Sequence, residues 1–287
     1  MSNLLNIADL SATDLAQILE LAETSNLGEP LKGKGVALVF DKPSARTRNS
    51  MEMAVVQLGG HPVYIQGHEV GIGERESAED VARTLACYHR IIAARVKKHD
   101  QLTSMAAAVQ TPVLNMLSDL HHPLQALADL LTVKQIAGRI EGVKLAYVGD
   151  GDNNVCRSLA EACSKLGAEL TIASPEGYGL PVNEVQFLSG VSQVEDPREA
   201  VEGAAFVYTD VWVSMGQDDE AAQRQADLAA YQVDETLLGK AHFLHCLPAR
   251  RGEEVTDNVM EGPQSAVWRQ AENRMHSARG ALAWMLG

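Results

Sequence analysis

The chain has 287 residues, 46% hydrophobic and 22% charged, which predicts a globular protein of about two domains with ample material for buried cores. Its 38 acidic against 24 basic residues leave a formal net charge of -14, which argues against a nucleic-acid partner because the overall field repels phosphates. No apolar run approaches the ~18 residues of a membrane span, and the opening "MSNLLNIADLSATDLAQ" carries no Lys or Arg before its apolar residues, so neither a membrane anchor nor a signal or transit peptide is expected and a cytoplasmic location is favoured.

In chain order, Ser11 and Asp14 read as a helix-capping pair ahead of "LAQILELAE". Apolar strand runs then alternate with helical ones. The strands are expected at 35–40, 61–66, 91–96 and 111–117, and the helices at 50–60, 78–88, 99–110 and 123–138. The alternation restarts with strands at 144–150, 169–175, 206–212 and 242–248, a helix at 154–167 and a closing helix over 265–286. Apolar strands separated by helices imply parallel sheets covered on both faces. The expected fold is therefore α/β, with two doubly wound parallel-sheet domains joined by interdomain helices. Cys87, Cys156, Cys163 and Cys246 form no metal-binding spacing, so thiols are favoured over disulfides and no metal site is expected.

Ligands of open α/β sheets bind beyond the carboxyl ends of the strands. The segments there are polar and several are cationic. "SARTR" (44–48) stands where a strand turns into a helix, so backbone N–H groups, the Ser44 and Thr47 hydroxyls and the Arg46 fork could converge on an anion. The same residues would equally suit a capped surface helix with solvated arginines. There is no Walker A sequence and no GxGxxG after the first strand, so a nucleotide is not the default ligand. "HHPLQ" (121–125) puts His122 at a helix start, where an imidazole tends to stay neutral and could polarise a carbonyl, with Gln125 three residues on. A turn proline with helix capping would also account for it. "GDGDNN" (149–154) offers side-chain amides, and "TDVWVSMG" (209–216) offers a carboxylate, Asp210, able to hold an ammonium group; ordinary loop polarity is the alternative for both. In "HCLPARRGEE" (245–254), His245 and Cys246 are expected on opposite faces of a strand, a poor arrangement for a nucleophile and its base, so Cys246 reads as a pocket-lining residue.

Taken together and in this order, "SARTR", "HHPLQALADLLT", "DVWVSMG", "HCLP" and "ENRMHSARGAL" resemble the motifs of the transcarbamylase family over essentially the whole chain. The resemblance is strongest to members that carbamoylate ornithine. It implies transfer of the carbamoyl group of carbamoyl phosphate to the δ-amine of L-ornithine, giving citrulline and phosphate, with no metal and no organic cofactor. It implies a carbamoyl phosphate domain over 1–132, on which a C-terminal helix (about 272–287) packs back, and an ornithine domain over 133–287. Carried over residue by residue, Ser44, Ala45, Arg46, Thr47, Arg95, His122, Gln125, Cys246, Leu247 and Arg274 fall on carbamoyl phosphate positions. Arg95, His122, Cys246 and Arg274 are the catalytic candidates among them. Asn154, Asp210, Ser214 and Met215 fall on ornithine positions. A homotrimer with active sites at subunit interfaces is likewise implied.

Two departures stand out. Ala45 takes the place of the commoner Thr, which removes a hydroxyl but keeps the backbone N–H. In "EVGIGERES" (69–77), Gly71 occupies the position of a Gln or His that reaches into a neighbouring subunit, with Arg75 close by as a substitute. The alternatives are a transcarbamylase for another amine, such as putrescine or an acylated ornithine, and a non-catalytic α/β binding relative.

Overall fold

The computed structural model describes residues 2–213 and 218–287. The elements in chain order are α1 (Ala12–Glu23), β1 (Gly35–Phe40), α2 (Ala45–Gln57), β2 (His61–Gln66), α3 (Gly67–Val70), α4 (Ala78–Ala86), β3 (His89–Arg95), α5 (His99–Ala108), β4 (Val113–Leu117) and α6 (Pro123–Ala137). There follow β5 (Lys144–Val148), α7 (Asn154–Leu166), β6 (Glu169–Ala173), α8 (Val182–Val185), β7 (Val191–Val194), α9 (Pro197–Val201), β8 (Phe206–Thr209), α10 (Ala221–Leu228), α11 (Glu235–Leu238), β9 (His242–His245), α12 (Asp257–Glu261) and α13 (Val267–Leu286).

The strands form two sheets, ordered β2-β1-β3-β4 and β7-β6-β5-β8-β9, and every pairing is parallel. The chain divides into two compact units, residues 1–131 with 272–287, and residues 132–271, and it passes from one to the other inside α6 and inside α13. β1 reads "GVALVF" with every residue after the first buried, as a strand covered by helices on both faces must be. Val36, Leu38, Ile91, Ile92 and Val113 are fully buried in the first unit, and Leu145, Val148, Val207 and Phe243 are buried in the second.

Local chemistry sets the helix starts. Ser11 and Asp14 form the reciprocal capping box read from the sequence. Ser44 caps α2 by accepting from the Thr47 N–H, so the helix begins at Ala45 rather than at 50, and "SARTR" is the cap and first turn. Asn153 caps α7 by accepting from the N–H groups of Val155 and Cys156, and Gly167 ends it at φ 74, a left-handed position that glycine adopts without a Cβ penalty. A Cβ on Gly280 of α13 would lie 2.5 Å from the Ile18 carbonyl oxygen and 2.7 Å from the Ala22 nitrogen, so α13 and α1 meet there backbone to backbone.

In each sheet the strand order reverses once, between β1 and β3 and between β5 and β8. Loops leaving adjacent strands on either side of such a switch point diverge and open a crevice. That places Asp41–Ser44 beside Arg95 in the first unit, and Gly149–Asn153 beside Asp210 in the second.

Candidate active site

In the first unit the carboxyl ends of β1, β3 and β4 are held level. Phe40 pairs in register with Arg95, Arg95 with Leu117, and the Asp41 N–H donates to the Arg95 carbonyl at 2.9 Å. Ser44 Oγ lies 3.1 Å from Thr47 Oγ1, which also accepts from Arg95 Nη1 at 3.4 Å. Arg95 is 6% exposed and Thr47 1%, yet Arg46 and Ala45, the first residues of α2, are exposed. The two arginines of the motif have different surroundings: Arg48 is tied to Glu52 at 2.8 Å and lies 3.9 Å over the Tyr64 ring, whereas no ion pair engages Arg46 among the described residues.

His122 immediately precedes α6, and its carbonyl accepts from the Gln125 N–H at 3.0 Å. Burial, then the positive charges of Arg274 and Arg95, hold its imidazole well below the usual 6.5, so it is neutral at pH 7. The cause is burial together with two nearby cations rather than a helix start alone. Gln125 Nε2 donates to Asp129 Oδ1 at 2.7 Å, which turns its carbonyl oxygen towards Arg274, whose Nη1 donates to it at 2.5 Å. Asp129 thus orients Gln125 and, through it, Arg274. Ser44, Thr47, Arg95, His122, Gln125 and Arg274 form a linked cluster rich in hydrogen-bond donors, with two buried guanidinium groups and a neutral imidazole. Such a set suits a small anion carrying a polarisable carbonyl.

In the second unit the carboxyl ends of β5, β8 and β9 carry the polar groups. Tyr147 and Tyr208 stack at 5.4 Å in the core, and Asn153 Nδ2 donates to the Tyr147 hydroxyl at 2.9 Å and to the Asp150 carbonyl at 2.7 Å. This fixes the loop ahead of Asn154, the first residue of α7. Asp210 is 8% exposed; burial pushes its carboxyl up, while the Cys246 thiol, donating at 3.1 Å, and the Val211 N–H, donating at 2.8 Å, pull it back. A buried carboxylate of this kind is suited to an incoming ammonium group.

Ligand atoms of Asp210, His245 and Cys246 lie within 4.8 Å of one another, but the two ring nitrogens of His245 are committed elsewhere. Its Nδ1 accepts from the Leu247 N–H at 2.9 Å, and its Nε2 lies 3.1 Å from Glu254 Oε1. Because a backbone N–H can only donate, Nδ1 must be the bare nitrogen and Nε2–H the donor to Glu254. Leu247 itself sits at φ 63, joined to Pro248 by a cis peptide bond. The expectation that strand alternation separates His245 from Cys246 is corrected: β9 ends at His245, so the alternation does not reach Cys246, and the two side chains approach each other. The thiol donates to Asp210, and the imidazole holds Leu247 and Glu254.

A family model described as aspartate/ornithine carbamoyltransferase, carbamoyl-P binding domain, matches residues 2–135, and its companion, the Asp/Orn binding domain, matches residues 141–285. The chain belongs to the aspartate/ornithine carbamoyltransferase family. Among relatives of this family, the ornithine carbamoyltransferase of Hyperthermus butylicus is 48% identical, covering 99% of this chain and 97% of its own. That of Thermus thermophilus is 46% identical over 99% and 96%. The solved structure of ornithine carbamoyltransferase from Pyrococcus furiosus superposes with a TM-score of 0.94 at 42% identity, covering 98% of this chain and 96% of that one.

For this family member, the motif residues group by unit. Ser44, Ala45, Arg46, Thr47, Arg95, His122, Gln125 and Arg274 cluster in the first. Asn154, Asp210, Cys246 and Leu247 lie at the carboxyl ends of β5, β8 and β9 in the second. Ser214 and Met215 lie outside the described residues. Gly71 ends α3 at φ 59, where a Cβ would stand 2.8 Å from Arg75 Cβ, and Arg75 donates to the Glu69 carbonyl at 2.7 Å, so both serve this turn. Sequence reasoning missed Asp129, Asp150, Arg224 and Glu254. Asp129 had a signal, four residues after Gln125 on one helix face; the other three owe their places to contacts that local sequence does not encode.

Proposed function

We propose that this chain transfers the carbamoyl group of carbamoyl phosphate to the δ-amine of L-ornithine, giving L-citrulline and phosphate. The observation that carries the reading is the first-unit cluster, in which the buried, neutral His122 feels the charges of Arg274 and Arg95, and Arg95 donates to Thr47 at the hydroxyl-lined start of α2. The names of its relatives support the choice of substrates.

In this reading residues 1–132 form the carbamoyl phosphate domain and residues 133–287 the ornithine domain, with the C-terminal helix of about 272–287 packing back on the first; the grouping of residues 272–287 with 1–131 supports it. Ser44, Arg46, Thr47, Arg95 and the backbone N–H groups from Ala45 onward hold the phosphate, where the positive end of the α2 dipole adds to the attraction. Arg95, His122, Thr47 and Arg274 polarise the carbonyl oxygen and stabilise the oxyanion, at ~3 kcal/mol per well-placed donor. Gln125 binds the carbamoyl amide end. Asp210, Asn154, Ser214 and Met215 orient the α-amino acid end of ornithine, and Cys246 and Leu247 line the reaction centre, which supplies proximity. The uncharged δ-nitrogen attacks the carbonyl carbon, the carbon–oxygen bond to phosphate breaks, and the departing phosphate takes the amine proton. The reaction so written needs no metal, cofactor or dedicated protein base.

The working form in this reading is a cytoplasmic homotrimer with active sites at subunit interfaces. Two observations support it: the four cysteines are thiols, in keeping with a reducing compartment, and Met53 and Val56, three residues apart on α2, are 47% and 50% exposed.

Phosphate release from carbamoyl phosphate in the presence of a panel of amines tests the reading. L-Ornithine should support turnover far better than putrescine, N-acetylornithine or L-aspartate. Preference for any of those three would replace ornithine as the substrate, and no release with any amine would leave a binding protein.

A further inference from the structure

Arg224, in α10, has a 10% exposed side chain and lies outside every motif described above. Its Nε donates to the Trp212 carbonyl at 2.7 Å, two residues beyond Asp210. Its Nη2 donates to Asp150 Oδ2, four residues before Asn154, in a side chain only 3% exposed. The guanidinium therefore spans the switch point of the second sheet and joins the loop leaving β5 to the segment leaving β8.

The grip is reinforced from the same helix. The Arg224 guanidinium lies 5.0 Å from the centre of the Tyr178 ring. The Tyr178 hydroxyl donates to Asp227 Oδ2 at 2.8 Å, and the Tyr178 carbonyl accepts from the N–H groups of Gly151 and Asp152, each at 2.8 Å. The loops also approach closely: a Cβ on Gly149 would lie 3.4 Å from both Thr209 Oγ1 and Trp212 Nε1. Only a planar, forked donor can serve a carbonyl and a carboxylate in two directions at once; an ammonium on a flexible stem cannot.

We infer that Arg224, with Asp150, is a positioning residue for ornithine: it sets the spacing between Asn154 and Asp210 without touching the substrate. A buried ion pair contributes little to net stability once its desolvation is counted, so a pair at the crevice is better explained by the geometry it imposes. The inference rests on the proposed ornithine reading of the second unit. It separates the two substrates, since every carbamoyl phosphate donor of the first unit lies outside the Arg224 contacts.

The test is steady-state kinetics of Arg224→Lys and Asp150→Asn, varying each substrate in turn, with circular dichroism and thermal melting as a check on folding. Both variants should raise the ornithine KM at least tenfold and leave the carbamoyl phosphate KM within twofold. The double variant should cost little more than either single one, because both break the same link. A folded Arg224→Lys with wild-type ornithine KM overturns the inference, as does a rise in both KM values in equal proportion. Should Arg224→Lys fail to fold, Asp150→Asn decides the matter by the same readout. Wild-type protein that forms no citrulline would remove the functional reading itself, whereas active wild type with unaltered variants would remove only the role of Arg224.

Discussion

Glu254→Gln is the sharpest perturbation of the second unit. Glu254 and His245 have fully buried side chains, and Glu254 Oε1 accepts twice, from His245 Nε2–H at 3.1 Å and from the Arg250 N–H at 2.5 Å. A glutamine keeps the shape. With its oxygen in place of Oε1 it still accepts from both His245 and Arg250, but its NH2 then takes the place of Oε2, a buried oxygen with no hydrogen-bond partner among the described residues. Turned the other way, the NH2 faces both donors. Either way a buried donor is stranded, at about 1–3 kcal/mol, and charge-assisted hydrogen bonds become neutral ones; the total is about 2–4 kcal/mol. Under the proposed function Leu247, held by His245, lines the reaction centre, and a misplacement there on the order of 1 Å costs up to ~100-fold. Urea denaturation should show the stability loss, and citrulline formation should fall about 10- to 100-fold in kcat/KM. A variant within about 0.5 kcal/mol of wild type and with unaltered kinetics would refute this account of the Glu254 hydrogen bonds.

Other perturbations follow from the same geometry. Arg46→Ala should raise the carbamoyl phosphate KM by about 100-fold or more, as loss of a charge-assisted anion contact does. Arg48→Ala, whose side chain is engaged with Glu52 and Tyr64, should change it less than about threefold; the reverse order would displace Arg46 from the phosphate. Gly280→Ala should destabilise by about 1–3 kcal/mol in thermal or urea melts through backbone crowding against α1, although alanine is the better helix former by about 1 kcal/mol; a stabilised variant would contradict the close approach. His122 is depressed in the folded state, so its contribution is present above the unfolded pKa and lost as pH falls. Between about pH 7.5 and about pH 5.5, wild type should lose roughly 1 kcal/mol relative to His122→Gln; parallel curves would mean that the imidazole is not held neutral.

The two sheets were legible because their strands are apolar runs with sharp ends. β1 and β2 fall at 35–40 and 61–66 as read, bounded by Gly35 and by His61–Pro62. Where apolar residues continue past the last ladder bond, the reading overran: the strands expected at 206–212 and 242–248 end at Thr209 and His245, and the surplus residues are the loops that carry Asp210 and Cys246. β7, "VSQV", was missed because an edge strand with half-exposed, mixed residues has no apolar signature. The start of α2 was placed at 50 instead of 45 because the arginines of "SARTR" resemble a loop, although Ser44 supplies the cap.

The motif residues of the site were readable singly, each from the strand end before it. Their partnerships were not. Arg274 of α13 meets Gln125 of α6 across 149 positions, and Arg224 of α10 meets Asp150 across 74; such pairings arise from how distant elements pack rather than from any local pattern. The position of Cys246 was misread for a related reason, since a single ladder ending one residue earlier turns its thiol towards Asp210.

The most direct test of the central claim is the fate of labelled carbon. Wild-type protein given [13C]carbamoyl phosphate and L-ornithine should move the label to the ureido carbon of citrulline, with one phosphate released per citrulline formed. Phosphate release with the label in carbonate, or on any amine in preference to the δ-amine of ornithine, would contradict it.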